Sequence, residues 1–175
     1  MNTFNELVKT RRSIRKFQDR PIEEDKLNAI LKAALMAPSS KRCQPWHFVV
    51  VDDEDKLLQM SVCREMGCKF LDGAPVAILV MAEDTLSDVW VEDASIAAAY
   101  MQLAAEDLGL GSCWIQVRNR MKSDEQTTED YLKEIVNAPD NMRIECIIAI
   151  GYKAEEKNAF DETRLKWEKV KRNSF

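Results

Sequence analysis

The sequence predicts an α/β sandwich with parallel strand pairings. Four apolar runs have the length of buried strands, and segments with helical spacing of apolar residues separate them. Of the 175 residues, 46% are hydrophobic and 31% are charged, as in an ordinary globular domain. A chain of this length buries enough surface for a core of its own, so we expect one domain that needs neither disulfides nor a structural metal.

Capping signals and apolar spacing predict the first two helices. Thr3 and Glu6 have the spacing of a capping box, which predicts a short helix over residues 4–10. Apolar residues recur every three or four positions over residues 23–36, and Pro38 ends this pattern. A second helix is therefore expected directly before Pro38.

Strands and helices alternate along the rest of the chain. A long helix with many alanines is predicted over residues 89–108, and Gly109 ends it. Good helix propensity explains the small side chains, and so does close packing at the centre of the fold or between subunits. The other predicted elements, in chain order, are a strand at 47–51, a helix at 54–66, strands at 75–82 and 112–117, a helix at 123–137 and a strand at 144–150.

Charge and composition argue against several classes of protein. The chain has 25 Lys and Arg against 30 Asp and Glu, a net charge of −5, which disfavours binding to nucleic acid or to an anionic membrane. No apolar run reaches the ~18 residues of a membrane span, and the N-terminus lacks the apolar stretch of a secretory signal. We therefore expect a cytoplasmic protein.

Cysteine and histidine usage disfavours zinc sites and hydrolases. The five cysteines include no C-x-x-C motif, and His47 is the only histidine. A packed or surface imidazole is a simpler interpretation of His47 than catalysis, since no nucleophile motif lies near it. We expect neither a metal site nor a Ser-His-Asp or Cys-His mechanism.

A cluster of positive charge lies near the N-terminus. Residues 9–20 contain six basic residues and one acid, a local charge of +5 in an otherwise acidic chain. Guanidinium groups beside Ser13 suit bidentate phosphate contacts, although a solvated basic face is an equally simple interpretation. The glycine signatures of nucleotide sites are missing, because Trp114 stands where the third glycine of a G-x-G-x-x-G would be. A phosphate-bearing cofactor held by side chains remains open.

Four blocks of sequence, in order, resemble the FMN-dependent nitroreductase family. They are RRSIRKF at 11–17, APSSKRCQPWHFVVV at 37–51, LGLGSCWIQ at 108–116 and IAIGYKAEEK at 148–157. The resemblance covers nearly the whole chain. It implies an α+β fold, with a mixed β-sheet flanked by helices, in an intertwined homodimer rather than the parallel sheet expected from the alternation. It also implies a single FMN-binding domain at 1–175, with residues 152–175 as a C-terminal extension that packs on the partner subunit.

The resemblance gives the basic cluster a role. Arg11 and Ser13 would hold the FMN phosphate, and Arg12 would lie around the ribityl chain and the ring. Arg15 would lie near the N1 and C2 carbonyl edge of the ring. Since two-electron reduction leaves negative charge at that edge, a guanidinium there stabilises the reduced flavin. Lys157 is the candidate for a late basic residue that closes over the phosphate.

The two middle blocks would approach the ring itself. The resemblance implies that one subunit reaches the flavin of its partner through Pro38, Ser39 and Ser40, so that a single chain holds half a site. The strand end with Trp114, Ile115 and Gln116 would lie near the flavin face or N5. Without the resemblance, core packing explains Trp114 and Ile115 equally well.

Two positions depart from the family pattern. Arg42 stands where the family commonly has Asn, and Gln116 where it commonly has Gly. Arg42 would add positive charge close to the partner's flavin, and Gln116 would narrow the space near N5. Both are expected to alter substrate choice.

The implied function is that of an FMN-dependent oxidoreductase. It would pass a hydride from NADH or NADPH through flavin N5 to a nitroaromatic, a quinone or a similar oxidised small molecule, by a ping-pong mechanism. No side chain need act as a nucleophile, because the cofactor carries the chemistry. A specialised flavin reaction, such as dehalogenation or enone reduction, is an alternative, and so is a non-catalytic FMN-binding module.

Overall fold

Five α-helices and four β-strands make up the chain in a computed structural model that describes residues 3–175. The helices are α1 (Phe4–Thr10), α2 (Glu24–Leu35), α3 (Glu54–Met60), α4 (Trp90–Asp107) and α5 (Thr128–Val136). The strands are β1 (Trp46–Val51), β2 (Val76–Glu83), β3 (Leu110–Gln116) and β4 (Met142–Tyr152). Short 3₁₀ turns lie at Ser40–Arg42, Lys69–Gly73, Glu162–Arg164 and Trp167–Lys169.

Local capping places the ends of the helices. The capping box of α1 is confirmed, since the Glu6 backbone N–H donates to Thr3 Oγ1 and the Thr3 backbone N–H donates to the Glu6 carboxylate. Helix α3 ends at Met60, six residues earlier than predicted, because the chain turns back over residues 61–68. Helix α5 begins at Thr128 rather than at residue 123, since the Thr127 side chain caps it by accepting the Asp130 N–H.

The strands follow the order β1-β2-β4-β3, and every neighbouring pair is antiparallel. The expectation of parallel pairings is therefore wrong. The seven residues of α3 span about 10 Å, which is about half the length of a six-residue strand. This helix does not by itself return the chain along the sheet, and β2 begins beside the end of β1, where Val51 pairs with Ala77, so the two strands run antiparallel.

The long helix α4 explains why the alternating pattern was misleading. Its 18 residues span about 27 Å, enough to return the chain along the sheet. Strands β2 and β3 do run in the same direction, but β4 lies between them and pairs antiparallel with both.

The α+β class implied by the family resemblance is confirmed. Outside the four strands, Ser13 forms a parallel bridge with Ser112 at the free edge of β3.

The core has one layer on each face of the sheet. Strand β2 is buried on both faces from Val76 to Ala82, as expected for a central strand. Helices α2 and α4 cover one face, where they meet Ile78, Val80, Cys146 and Ile148. Helices α3 and α5 cover the other face, where the buried strand residues are Leu79, Met81, Ile147 and Ala149.

The N-terminal segment approaches β3 closely at Gly111. The Ile14 backbone N–H donates to the Ser112 carbonyl at 3.0 Å. A Cβ atom on Gly111 would lie 2.8 Å from Ile14 Cβ, so only glycine lets the two backbones come this close. Since Ile14 is buried, this contact holds residues 11–17 in place along the edge of the sheet.

We predict that Gly111→Ala destabilises the fold by about 1–3 kcal/mol, because the added methyl group forces Ile14 and its backbone away from β3. Urea denaturation measures the change. The matched control is Gly73→Ala, where a Cβ meets no atom within 4 Å, and there we expect a change within about 0.5 kcal/mol. Equal stability of the two variants would show that the close approach is not a constraint.

Candidate functional site

Hydrogen bonds hold the basic cluster at the edge of the sheet. Besides the contact between Ile14 and Ser112, the Gln18 N–H donates to the Tyr152 carbonyl, and the Ala154 N–H donates to the Lys16 carbonyl, both at 2.9 Å. The segment thus lies between the edge of β3 and the end of β4. These contacts fix the backbone from which the arginines extend.

Arg11, Ser13 and Arg15 come together around Cys113 of β3. Arg11, Ser13 and Arg15 all lie close enough to Cys113 to affect the charge on its sulfur. Burial raises the pKa of the Cys113 thiol, and Arg15, Ser13 and Arg11 oppose that shift. Arg15 also lies over the ring of Phe70, with 5.9 Å between the guanidinium carbon and the ring centre. Three of the predicted phosphate and ring ligands therefore share one side of the segment.

Arg12 and Lys157 lie in a different place. They line a pocket of about 590 Å³ together with Ile14 and Glu155, and neither Arg11, Ser13 nor Arg15 contributes to its wall. The Arg12 guanidinium donates to the Asn158 carbonyl at 2.5 Å. Lys157 Nζ pairs with the Glu155 carboxylate at 2.8 Å, and a phosphate would have to compete with this carboxylate.

A buried carboxylate holds the segment that contains Pro38, Ser39, Ser40 and Arg42. Asp93, in the first turn of α4, accepts the Ser40 backbone N–H at 2.8 Å and the Ser87 hydroxyl at 2.9 Å. Lys41 and Arg42 have the positive φ angles of 50° and 58°, which are rare away from glycine and are kept only where contacts fix the backbone. Pro38 and Arg42 are exposed, so the segment presents a fixed surface to solvent.

The two halves of the predicted site do not meet within one chain. Among the hydrogen bonds and salt bridges found for residues 3–175, none joins the segment 38–42 to the segment 11–15. The first lies at the start of α4, and the second lies along the free edge of β3. That a single chain holds half a site stays a prediction.

The end of β3 forms a small polar network. Ile115 is buried in the core, whereas Trp114 and Gln116 are half-buried on the opposite face. Trp114 Nε1 donates to Gln116 Oε1 at 2.9 Å. The Gln116 amide nitrogen lies 3.4 Å from Glu145 Oε1 and 3.2 Å from the Arg118 carbonyl. The Gln116 side chain is thus tied into the sheet rather than free.

Three residues of this region were missed by sequence reasoning. Asp93 positions the 38–42 segment. Glu145 is buried beside Gln116, its Oε2 atom has no hydrogen-bond partner, and burial raises the pKa of its carboxyl group. Arg64 Nη1 donates to the Gln116 carbonyl at 3.2 Å, while its buried Nε atom is unpartnered. An acid at the start of an alanine-rich helix was a visible signal for Asp93, but nothing local marked the other two.

No helix in the described range, residues 3–175, combines the length and apolar character that a membrane crossing requires.

Comparison with known proteins identifies the family. Residues 8–152 match the Nitroreductase family, which is most of the chain, and the chain therefore belongs to this family. The family resemblance noted in the sequence is confirmed.

Individual relatives agree with this assignment. A protein of Archaeoglobus fulgidus with the provisional name NADH dehydrogenase/NAD(P)H nitroreductase is 39% identical over 162 residues, which cover 89% of this chain and 88% of that protein. The structure of an FMN-dependent nitroreductase from Clostridium difficile R20291 superposes with a TM-score of 0.95 at 52% identity, covering 97% of this chain and 98% of the other. An iodotyrosine deiodinase of Thermotoga neapolitana is 29% identical, with 94% and 96% of the two chains covered.

Proposed function

We propose that this member of the nitroreductase family is an FMN-dependent oxidoreductase that takes electrons from NADH or NADPH and delivers them to a nitroaromatic, a quinone or a similar oxidised small molecule. One observation carries the proposal. Within residues 3–175, the guanidinium groups of Arg11, Arg12 and Arg15 form no salt bridge, although the protein is acidic overall. Positive charge without a carboxylate partner calls for an anionic ligand.

The donor set fits the two ends of FMN. Arg11 supplies a guanidinium group and Ser13 supplies a hydroxyl, and both kinds of group bind a phosphate well. Arg15 extends from the same side of the segment and lies over Phe70, so it can approach a ring beyond the phosphate. The names of the similar C. difficile and A. fulgidus proteins mention FMN and NAD(P)H, which supports the same assignment here.

The protein has to position the cofactor and tune its charge. FMN, when bound, supplies the two-electron chemistry that couples NAD(P)H oxidation to substrate reduction. Arg11 and Ser13 anchor the phosphate, and Arg15 stabilises the negative charge that reduction places on the ring. The segment 38–42, whose backbone is fixed by Asp93, adds the positive charge of Arg42 to the site. His47 is exposed on β1 and takes no part.

A second copy of the chain completes the site. Large apolar side chains are exposed in one described chain, among them Phe4 and Val8 of α1, Ile96 and Tyr100 of α4, and Trp167 and Val170 of the C-terminal extension. Phe4 and Val8, like Ile96 and Tyr100, are four residues apart on one helix and so share a helix face. Clustered exposed apolar side chains are typical of an interface. The start of the extension is tied to α1, because the Phe160 N–H donates to the Lys9 carbonyl and Glu162 pairs with Lys9 at 2.8 Å. Trp167, 71% exposed, then lies free to pack on the partner.

Reductive dehalogenation is a second candidate reaction. The observation that favours it is the similarity to an iodotyrosine deiodinase over nearly the full length of both chains. The same flavin site serves either reaction, and the substrate pocket decides between them.

We expect the purified protein to show flavin absorbance and to oxidise NADH or NADPH when a nitroaromatic or a quinone is supplied. Much faster turnover of an iodinated phenol than of the nitroaromatic would favour dehalogenation. Bound FMN that neither nicotinamide reduces would indicate a binding module. A colourless protein that does not take up added FMN would contradict the proposal.

Arg11 and Arg15 are expected to have separable roles. We predict that Arg11→Ala removes phosphate contacts worth about 1.5–3 kcal/mol and so weakens FMN binding about ten- to hundredfold. Arg15→Ala mainly lowers the reduction potential of the bound flavin, because the charge on the reduced ring loses its partner. Fluorescence titration measures the affinity, and a dye-coupled redox titration measures the potential.

The matched control for both arginines is Lys16→Ala, which removes an exposed positive charge from the same segment. In this variant we expect the affinity for FMN to change by no more than about twofold. The reduction potential should shift by no more than the same free energy. Loss of affinity in the Arg15 variant, with an unchanged potential, would overturn the role given to that residue.

Removal of residues 159–175 is predicted to yield a monomer that releases flavin, since the exposed apolar side chains of the extension lose their partner surface. Light scattering after gel filtration gives the mass, and absorbance gives the flavin content. Removal of residues 171–175 alone keeps Phe160, Leu165, Trp167 and Val170, and this control should stay dimeric. A dimeric, flavin-bound protein after the longer deletion would show that the extension does not build the interface.

A further inference from the structure

Two buried thiols meet in the loop that follows α3. Cys63 and Cys68 are both almost fully buried, and neither forms a disulfide. Cys68 Sγ lies 3.1 Å from the Ser61 carbonyl and 3.3 Å from the Arg64 carbonyl, the two groups on either side of Cys63. Each thiol lies close enough to the other to shift its pKa. The turn at Gly67, with a φ of 82°, brings Cys68 back onto this part of the chain.

A positive charge lies against the pair. The Arg64 guanidinium donates to the carbonyls of Gly67 and Gln116, both at 3.2 Å, and its buried Nε atom has no partner. The hydrogen bond from Cys63 lowers the pKa of Cys68 to about 6, burial opposes this, and the charge of Arg64 adds to it. The same hydrogen bond and burial raise the pKa of Cys63. The directions of these two shifts make Cys68 the more acidic thiol of the pair.

The pair differs from the other cysteines. Burial raises the pKa of Cys113 and of Cys146, which keeps both as unreactive thiols at neutral pH. Cys68, in contrast, lines a pocket of about 360 Å³ together with Arg64, Lys69 and Lys122. The pocket is large enough for a small peroxide, and its three basic residues outnumber the one acid in its lining, Glu65.

We propose that Cys63 and Cys68 are a modification site, a dithiol that hydrogen peroxide oxidises reversibly to a disulfide. The Cys68 thiolate attacks one oxygen of the peroxide, the O–O bond breaks, and the products are a sulfenic acid on Cys68 and hydroxide, which takes a proton to become water. The Cys63 sulfur then attacks the sulfenic sulfur, the S–S bond forms, and the hydroxyl group leaves as water with the Cys63 proton. The two thiols lose two electrons and two protons, and the peroxide becomes two molecules of water. A dithiol reductant reverses the reaction.

Arg64 connects this site to the end of β3. It lies between the two cysteines in the sequence, and it is hydrogen-bonded to the Gln116 carbonyl. A disulfide draws the loop together on both sides of Arg64, so oxidation changes the contact with β3. The oxidation itself requires no flavin, and its test is independent of the proposed function.

Trypsin provides a direct test on the full-length, wild-type protein, because cleavage after Arg64 separates the cysteines into the peptides 57–64 and 65–69. The protein is treated with hydrogen peroxide, free thiols are alkylated, and the digest is analysed by mass spectrometry without reduction. We expect the two peptides to be joined by a disulfide after peroxide treatment and to separate when dithiothreitol is added. Two alkylated, separate peptides after treatment would overturn the proposal, as would a disulfide that joins either residue to another cysteine.

Variants distinguish the two steps. In Cys63→Ser the linked peptide disappears, and dimedone labels the sulfenic acid that remains on Cys68. In Cys68→Ser we expect Cys63 to stay unlabelled, because no thiolate lies at the pocket. Cys43→Ser, which changes a half-buried cysteine in another loop, keeps the linked peptide. Dimedone labelling of Cys63 in the Cys68 variant would contradict the assigned order of attack.

Discussion

The close approach of residues 11–17 to the edge of β3 is the constraint on which the site depends. Gly111 has no side chain, so Ile14 packs directly against the strand and its backbone joins the ladder at Ser112. This contact holds Arg11 and Arg15 near Cys113, and within residues 3–175 neither guanidinium group forms a salt bridge. An acidic protein keeps a small region of unpaired positive charge at this edge, and an anionic cofactor is the natural partner for it.

Packing at the start of α4 fixes an exposed segment of the chain. Asp93 is buried at the start of α4, where it holds the Ser40 backbone, so the segment 38–42 keeps its shape although it faces solvent. The same helix exposes Ile96 and Tyr100 beside it. The architecture thus separates two regions: one edge of the sheet carries the cationic groups, and the start of α4 holds the segment 38–42.

The end of β3 connects these regions to the rest of the fold. The Gln116 side chain accepts a hydrogen bond from Trp114 and approaches Glu145. The Gln116 backbone carbonyl accepts a hydrogen bond from Arg64, in the loop after α3. This arrangement requires β4 to lie between β2 and β3, because Glu145 belongs to β4. The insertion of β4 into the sheet therefore places the buried carboxyl group of Glu145 next to the end of β3. The loop after α3, which contains Cys63 and Cys68, contacts the end of β3 through Arg64.

The sequence by itself determined the elements whose signals are local. The capping box at Thr3 and Glu6 and the apolar spacing of α2 predicted these helices to within one residue at each end, and the four sequence blocks predicted the family. The tertiary structure alone decided the strand directions, because the sequence pattern does not show at which end of its neighbour a strand begins, and β2 begins beside the end of β1. It also decided which residues of the basic cluster lie near one another: Arg11 and Arg15 lie near Cys113, whereas Arg12 lines another pocket. Glu145 and Arg64 could not be assigned from sequence, because their roles come from contacts with residues at least 29 positions away along the chain. Asp93 stood out only as an acid at the start of an alanine-rich helix, and its contact with Ser40 is visible only in the fold.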